Sequence, residues 1–512
     1  MSFKNSTALL TVGFAALTAA PALADISADD IWTSYQAIAQ TVGGELTATA
    51  TRDGNKVLYT DAKLHFLIPD GKGSLDILYP TLSYTNHADG TVSMDMAGTH
   101  SYKFVITGPD KKSDQISANI ISTYDNAEVI ASGNPDDITF SYAVDSFAFA
   151  LQNLDLGASG GNSNVELSLT GTGSAAQGSS RWTQGDLITL AGQSVISGFD
   201  YSMHSKDEDG AVSTTSATYG EMVSKSTITL PTGGMSIMNL AAALHDGLSI
   251  KATGTYGSST TQESVVMDGE QVSSQTITTG SSTSAFAANA EAIQLTAEGS
   301  DIGMDVLINA GLSMALKTDI DQVAGDFRMP VSASGEPQDF TLALGLKGLD
   351  LGDEIWSMFD PSEVLQRDPA TLAIGLTGQA TLLQDLLNFT EMKELAEGNL
   401  PIELNTLAIK EFLISAVGAS LSGTGNFAFN NDDLTSYDGM PAPSGSADLQ
   451  ITGANALIDR LVEMGLVEES DAMGARMMMG MFTVAGDGDD TLSSKLEITE
   501  DGQISANGQR LK

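Results

Sequence analysis

The side chains able to do chemistry are few and poorly grouped. The chain has five histidines, His65, His87, His100, His204 and His245, and no cysteine. No histidines stand at H-E-x-x-H or close H-x-H spacing, so no zinc site is signalled. No G-x-S-x-G elbow, phosphate loop or dinucleotide fingerprint occurs. The one suggestive pair, His245-Asp246, ends an apolar run just before Gly247. An imidazolium there suits the negative end of a helix dipole, which is a capping role rather than a catalytic one. Two acidic strings, Asn430-Asn431-Asp432-Asp433 and Gly486-Asp487-Gly488-Asp489-Asp490, carry oxygen ligands of the kind calcium takes. Both lack the spacing and the closing glutamate of an EF-hand loop, and solvated turns are the simpler reading. No catalytic, cofactor-binding or metal-ligating residue is assigned, no cofactor is expected, and the protein reads as non-enzymatic.

Two other groups stand out. Arg367 follows Trp356, Asp360 and Pro361 and precedes Asp368 and Pro369. A guanidinium so placed can bond carboxylate oxygens and turn carbonyls together as a structural clamp, or it can hold a ligand. Met473, Met477, Met478, Met479 and Met481 form an apolar cluster. Methionine fills irregular spaces, so the cluster reads either as core packing or as an adaptable surface for an acyl chain or a partner helix.

The elements that must position these groups begin with an export signal. Lys4 precedes an uncharged run from Ser6 to Ala20, then Pro21 and Ala22-Leu23-Ala24. A charged start, an apolar centre and an A-x-A cleavage site predict a signal peptide over 1–24, removed near Ala24. The absence of cysteine excludes disulfides, thiol chemistry and a lipid-modified N-terminal cysteine. No later run reaches the roughly 18 apolar residues of a spanning helix, so the product is expected in the periplasm or secreted. Acidic residues number 65 against 23 basic, a formal charge of −42. Such a surface repels nucleic acid and anionic headgroups. The charges are spread along the chain, which favours solubility over an acidic-tail or calcium-binding role.

A helix is expected at the mature start. Ser27 and Asp30 approximate a capping box, Ile31, Tyr35, Ile38 and Val42 share a face, and Gly43-Gly44 ends it. The period then becomes two. Ile138, Phe140, Tyr142 and Val144 alternate with polar or small residues, as do Val165, Leu167 and Leu169. Asp-Gly pairs at 53–54, 89–90, 209–210, 268–269 and 501–502 mark two-residue hairpin turns. Thirteen prolines leave most ladders unbroken. The fold class is therefore mostly β with a few short helices, an extended antiparallel meander sheet, curved or groove-like. The expected helices are Met235–Asp246, covered on both sides, Asp353–Phe359, amphipathic Asn455–Met464, and Ala472–Met481. Residues 254–284 are rich in Ser, Thr and Gly but still alternate, which predicts a long exposed hairpin.

Leu154-Asp155-Leu156-Gly157 and Leu349-Asp350-Leu351-Gly352 each follow an alternating apolar run at the same spacing. Thr-Gly pairs recur at 170–171, 253–254, 377–378 and 452–453, where a glycine permits a bulge or bend. Biased composition can produce such echoes by chance. Read as repeats, they give two related β-rich halves, 25–232 and 233–512, joined near Pro231–Gly234.

The second half carries Trp356-Ser357-Met358-Phe359-Asp360-Pro361, then Arg367-Asp368-Pro369-Ala370-Thr371-Leu372, then Thr377-Gly378. Gly423-Thr424-Gly425, Leu449-Gln450-Ile451-Thr452-Gly453, Leu457-Ile458, Met464-Gly465-Leu466 and the Asp501-Gly502 hairpin follow. Over about 340–512 these strings resemble the secreted alphaproteobacterial proteins grouped as domain of unknown function family 2125. The Thr-Gly-x-x-x-Leu-Ile string is also similar, more weakly, to the C-terminal β-repeats of AsmA-type envelope proteins. The first resemblance implies compartment and fold without an activity; the second implies long grooves for lipid chains.

The expected function is that of an exported periplasmic binding or scaffold protein whose apolar sheet face accepts lipid or a hydrophobic envelope partner. The alternative is a secreted surface or adhesin-like β protein. An outer-membrane barrel fits less well, because only 6% of residues are aromatic and the chain ends in Lys512.

Overall fold

The computed structural model describes residues 25–68, 72–108, 115–157, 166–207, 209–236, 238–309, 311, 313–388 and 401–511. The signal segment at 1–24 lies outside them, as do Val165 and Lys512. Among the described residues strands make up 65% and helices 11%. The strand ladders are antiparallel, and among the described residues five short helices interrupt a long meander. The chain divides into two units, one formed by residues up to 237 with 242–257, the other by 238–241 with everything from 258 onward.

The first unit opens with α1, Ala28–Thr41. Its N-terminus is a full capping box: Asp30 N–H donates to the Ser27 hydroxyl, and Ser27 N–H donates to the Asp30 carboxylate at 2.9 Å. Gly43, at φ +80, follows its end. α1 lays Ile31 and Trp32 on strand Lys56–Ile68 and its neighbours. Trp32 stacks on Tyr59 with centroids 4.4 Å apart, and Tyr59 meets Tyr84 edge-on at 5.6 Å. Trp182 joins Phe140 at 4.7 Å and Tyr35 at 5.0 Å. Ile31, Ala28, Val92, Ala131 and Ile138 are fully buried. Burial pushes the Tyr35 phenol up to about 12 and drives those of Tyr59 and Tyr84 well above the ordinary value.

The sheet of this unit forks. Strand Lys56–Ile68 pairs through its first half with Leu82–Asn86 and through its second half with Gly73–Leu78. One arm runs through Val92–Asp95 and Glu128–Asn134, the other through Gly98–Thr107 and Gln115–Asp125. Both rejoin on the 19-residue strand Asp137–Asp155. The core under α1 belongs to the first arm. The ladder continues through Glu166–Gln184, Leu187–Lys206, Met222–Pro231 and Ser249–Tyr256.

The second unit is plainer. Strand Ala292–Asn309 pairs in turn with Ser281–Ala288 and Glu270–Thr279. From it the sheet advances one neighbour at a time through Ser313–Pro330, Gln338–Leu351, Ala370–Leu382, Ile402–Ala416, Ala419–Asn430, Ala442–Thr452 and Thr491–Ile498. Its helices sit in the connections: α3, Asp353–Phe359; α4, Ala454–Glu463; and α5, Glu469–Phe482.

Several local expectations are corrected. The helix at Met235–Asp246 is only α2, Leu240–His245, because Asn239 bridges to Asn388 and the Leu240 N–H donates to the Leu387 carbonyl. Ala242 and His245 are exposed, so one side alone is covered. Of the Asp-Gly pairs, Asp268-Gly269 forms a two-residue turn, with φ of 54 and 81. At 53–54 the turn residues are Gly54 and Asn55, since Asp53 pairs with Lys56. The other three share a longer loop. His87, Asp207 and Thr499 each accept from the glycine three residues on, and that glycine takes φ of 79 to 87. This is a tight turn closed by a left-handed residue, and only glycine holds that position without strain.

The Thr-Gly pairs also have a different cause from the one expected. Gly171 and Gly254 lie within extended strands, beneath aromatic rings rather than at bends. A Cβ on Gly171 would meet the Phe149 ring at 2.4 Å, and one on Gly254 would meet Tyr256 at 2.5 Å. Gly378 combines both causes, lying under Phe340 and beside a register shift at Gln379/Ala380. Gly453 alone bends the chain, at φ +73, where α4 begins. The two Leu-Asp-Leu-Gly strings each end a strand but then diverge. Gly157 is left-handed, whereas Gly352 is extended and opens α3.

Candidate functional site

The second unit places one continuous apolar surface on one face of its sheet. Residues directly opposite each other in a ladder share a face, and side chains two apart along a strand share it too. One cross-strand row runs Val323, Leu346, Leu372, Ile414, Leu421, Ile451 and Leu492 across seven consecutive strands. The row beside it begins Gly325, Leu344, Ile374 and Phe412. The next begins Leu295, Phe327, Leu342, Leu376 and Ile409. No charged side chain interrupts these rows. The opposite face carries Glu298, Asp326, Lys347, Glu411, Asp448 and Lys495 among small residues.

The apolar face is open. Leu344 is 55% exposed, Leu372 47%, Leu295 46% and Ile414 44%. From Ile293 to Met329 none of the described residues is buried. This part of the unit is therefore a single layer, amphipathic by face. The same strand alternation that elsewhere builds a core here leaves its apolar half uncovered. At one end, Phe340, Leu407 and Phe427 line a shallow concavity of about 750 Å³. Gly378 lies in its floor, where a side chain would strike the Phe340 ring.

The Trp356–Pro369 string builds a clamp beside this sheet. Asp360 is completely buried at the end of α3. Its carboxylate accepts from the backbone N–H of Val364 at 2.9 Å and of Leu365 at 3.0 Å, closing the turn that Pro361 enters. Arg367 lies over the buried Trp356 ring at 5.4 Å, donates to the Asp353 carboxylate at 3.1 Å and reaches the Asp360 carbonyl at 3.5 Å. Its carboxylate partners are Asp353 and, at 3.7 Å, Glu363. Asp368 and Pro369 are exposed and stand apart from the clamp. The residues thus come together around a turn rather than around a cavity.

The methionines of α5 are on the surface. Met473, Met477, Met478 and Met481 are each more than half exposed. Core packing is therefore excluded for these four. α5 is tied to α4 by Arg476, whose guanidinium donates to Asn455 and pairs with Asp459.

The acidic strings are turns and caps. Asp490 accepts from the N–H groups of Asn455 at 3.2 Å and Ala456 at 2.9 Å, capping α4 from 35 residues away. Burial opposes its ionisation, but these hydrogen bonds and nearby Arg476 hold its carboxyl below the ordinary value. The Asp433 carboxylate accepts from Thr435 and Ser436 N–H within its own turn. Among the described residues no three acidic or histidine side chains converge as a metal would require. His65 bonds the Asp76 carboxylate at 2.6 Å across neighbouring strands.

The open face was only partly visible in the sequence. Leu342, Leu344 and Leu346 mark a strand, yet nothing in a single strand says whether its partners leave that side uncovered. No family model, curated protein or solved structure matches the chain.

Proposed function

We propose that the chain is a non-enzymatic cell-envelope protein, a binding or scaffold protein whose open sheet face accepts lipid or a hydrophobic partner. The observation that carries this reading is the seven-strand aliphatic row from Val323 to Leu492, in which Leu372 and Ile414 are nearly half exposed, with half-exposed Leu344 in the row beside it. Uncovered apolar area forgoes about 25 cal/mol per Å² of burial. A contiguous patch several strands wide therefore marks a binding surface rather than ordinary exposure. Export rests on the charged start, apolar run and A-x-A site at 1–24. Kinship with domain of unknown function family 2125 belongs to the same proposal, carried by Trp356 through Thr371. The adhesin-like alternative draws on composition alone.

The test is uptake of an uncharged fluorescent alkyl probe by delipidated protein, together with native mass spectrometry of material purified without detergent. Wild type takes up the probe and carries co-purified lipid, and the pair Leu344→Asp and Leu372→Asp abolishes both. Clean protein with no uptake contradicts the proposal. Fractionation tests the compartment, and surface exposure would favour the adhesin-like reading.

A further inference from the structure

The large apolar residues that α5 exposes are all methionine. The chain has 20 methionines, and five of them stand within residues 473–481, a density that composition alone does not supply. Met473, Met477, Met478 and Met481 are 73%, 66%, 57% and 52% exposed. Met473, Met477 and Met481 follow one another at four-residue spacing, and Met478 stands three before Met481. Side chains three or four apart on a helix are neighbours, with Cβ atoms about 5–6 Å apart. Gly474 lies on the same side of the helix, and a Cβ there would meet only open space. The other side is occupied: Ala472 is buried, and Arg476 is drawn to Asn455 and Asp459 of α4.

We propose that Met477, Met478 and Met481, with Met473 beside them, form a binding site for a soft monovalent cation of the Cu(I) type. The site is independent of the apolar sheet face. Thioether sulfur is a soft, uncharged ligand, and it selects Cu(I) over the hard cations that carboxylates take. A methionine side chain has three rotatable bonds, so its sulfur can swing toward a neighbour's. Met477 and Met478 each lie within about one turn of Met481, which lets three sulfurs reach one ion. The cluster also lies at the end of the helix that favours a cation. α5 ends at Phe482 with no basic side chain in its last turn, so no positive side chain offsets the negative end of its dipole. A bound monovalent cation supplies the charge that a lysine or arginine would otherwise bring there. Leucine would serve a hydrophobic partner equally well on this face, but it has no lone pair to offer a metal.

The probe is Ag(I), a redox-inert stand-in for Cu(I), added to the intact protein in chloride-free buffer. Calorimetric titration is expected to show a single tight site per chain. The variant Met473→Leu, Met477→Leu, Met478→Leu, Met481→Leu keeps the apolar surface and is expected to weaken that site by about tenfold or more, with the melting temperature unchanged. A second measure needs wild type alone. Dilute hydrogen peroxide converts an exposed methionine to its sulfoxide, and a sulfur whose lone pair is held by a metal is shielded from that oxidation. Mass spectrometry is expected to show Ag(I) slowing oxidation of the four α5 methionines by about fivefold or more. Met267, Met358 and Met440, which stand alone in the sequence and are 43%, 56% and 64% exposed, are expected to oxidise as before. Zn(II) at the same concentration is expected to protect none of them. A leucine variant that binds Ag(I) as wild type does overturns the proposal. So does oxidation of the α5 methionines that Ag(I) leaves unchanged, or slows no more than it slows that of Met440, or that Zn(II) slows as much.

Discussion

Ile31 in the first unit has no solvent exposure, whereas Leu344 in the second is more than half exposed. Both are aliphatic residues on the apolar side of an amphipathic element. The difference is what lies across from them. In the first unit α1 closes over one arm of the forked sheet, and Trp32, Tyr59, Tyr84 and Phe140 interlock beneath it. In the second unit the described helices sit in connections, no described residue from Ile293 to Met329 is buried, and Leu344, Leu372 and Ile414 on the following strands stay half-exposed. The first unit is stabilised by burial. The second is held by its ladders and by local polar clamps, and that leaves a surface free to bind. Alternation makes a strand amphipathic, but a covering layer decides between core and binding face.

Substitutions break the comparison at different depths. Ile31→Ala opens a cavity under α1 and is expected to cost about 3 kcal/mol. The urea midpoint reported by Trp32 and Trp182 fluorescence checks it. Asp360→Ala leaves the Val364 and Leu365 N–H groups buried without an acceptor, an expected loss of about 2 kcal/mol. Hydrogen exchange at residues 360–369 should rise in this variant while the α1 region stays protected.

Asp490→Asn weakens the remote cap of α4, an expected loss of about 1 kcal/mol at neutral pH. Its carboxyl titrates lower folded than unfolded, so its contribution is present above the ordinary Asp value and is lost as pH falls through the folded one. Wild type and variant melts should therefore converge on acidification. Asp29, lowered by its hydrogen bond from Arg52, and Asp137, lowered by Arg181, add to the same acid limb. Arg367→Ala removes the contact over Trp356 and a solvent-screened ion pair, together about 1 kcal/mol or less, read as a lowered melting temperature. Leu344→Ala is expected to change stability least, by under about 0.5 kcal/mol, because little burial is lost. A Leu344→Ala effect as large as that of Ile31→Ala would erase the contrast between the units.

Much of the fold was legible in the residues. The Ser27–Asp30 box, the alternation around Ile138–Val144 and the final hairpin at Ile498 and Ile504 follow from local physics and stand where expected. What single-strand patterns could not convey was pairing. That Gly171 lies flat beneath Phe149 depends on cross-strand register, and so does the alignment of Leu346, Leu372 and Ile414. The α5 methionines show the same limit. Their clustering was plain, but a helical apolar cluster looks alike whether it is covered or exposed. The Arg367 clamp was readable as a type; its partner Asp353, 14 residues away, was not.

The most direct test of the open face uses the absence of native cysteine. Leu344→Cys and, on the opposite face, Ala343→Cys each accept one environment-sensitive fluorophore. On titration with an uncharged alkyl maltoside, the label at 344 should shift to the blue and saturate, while the label at 343 stays unchanged. Equal responses at the two positions, or none at 344, would contradict a binding face on this side of the sheet.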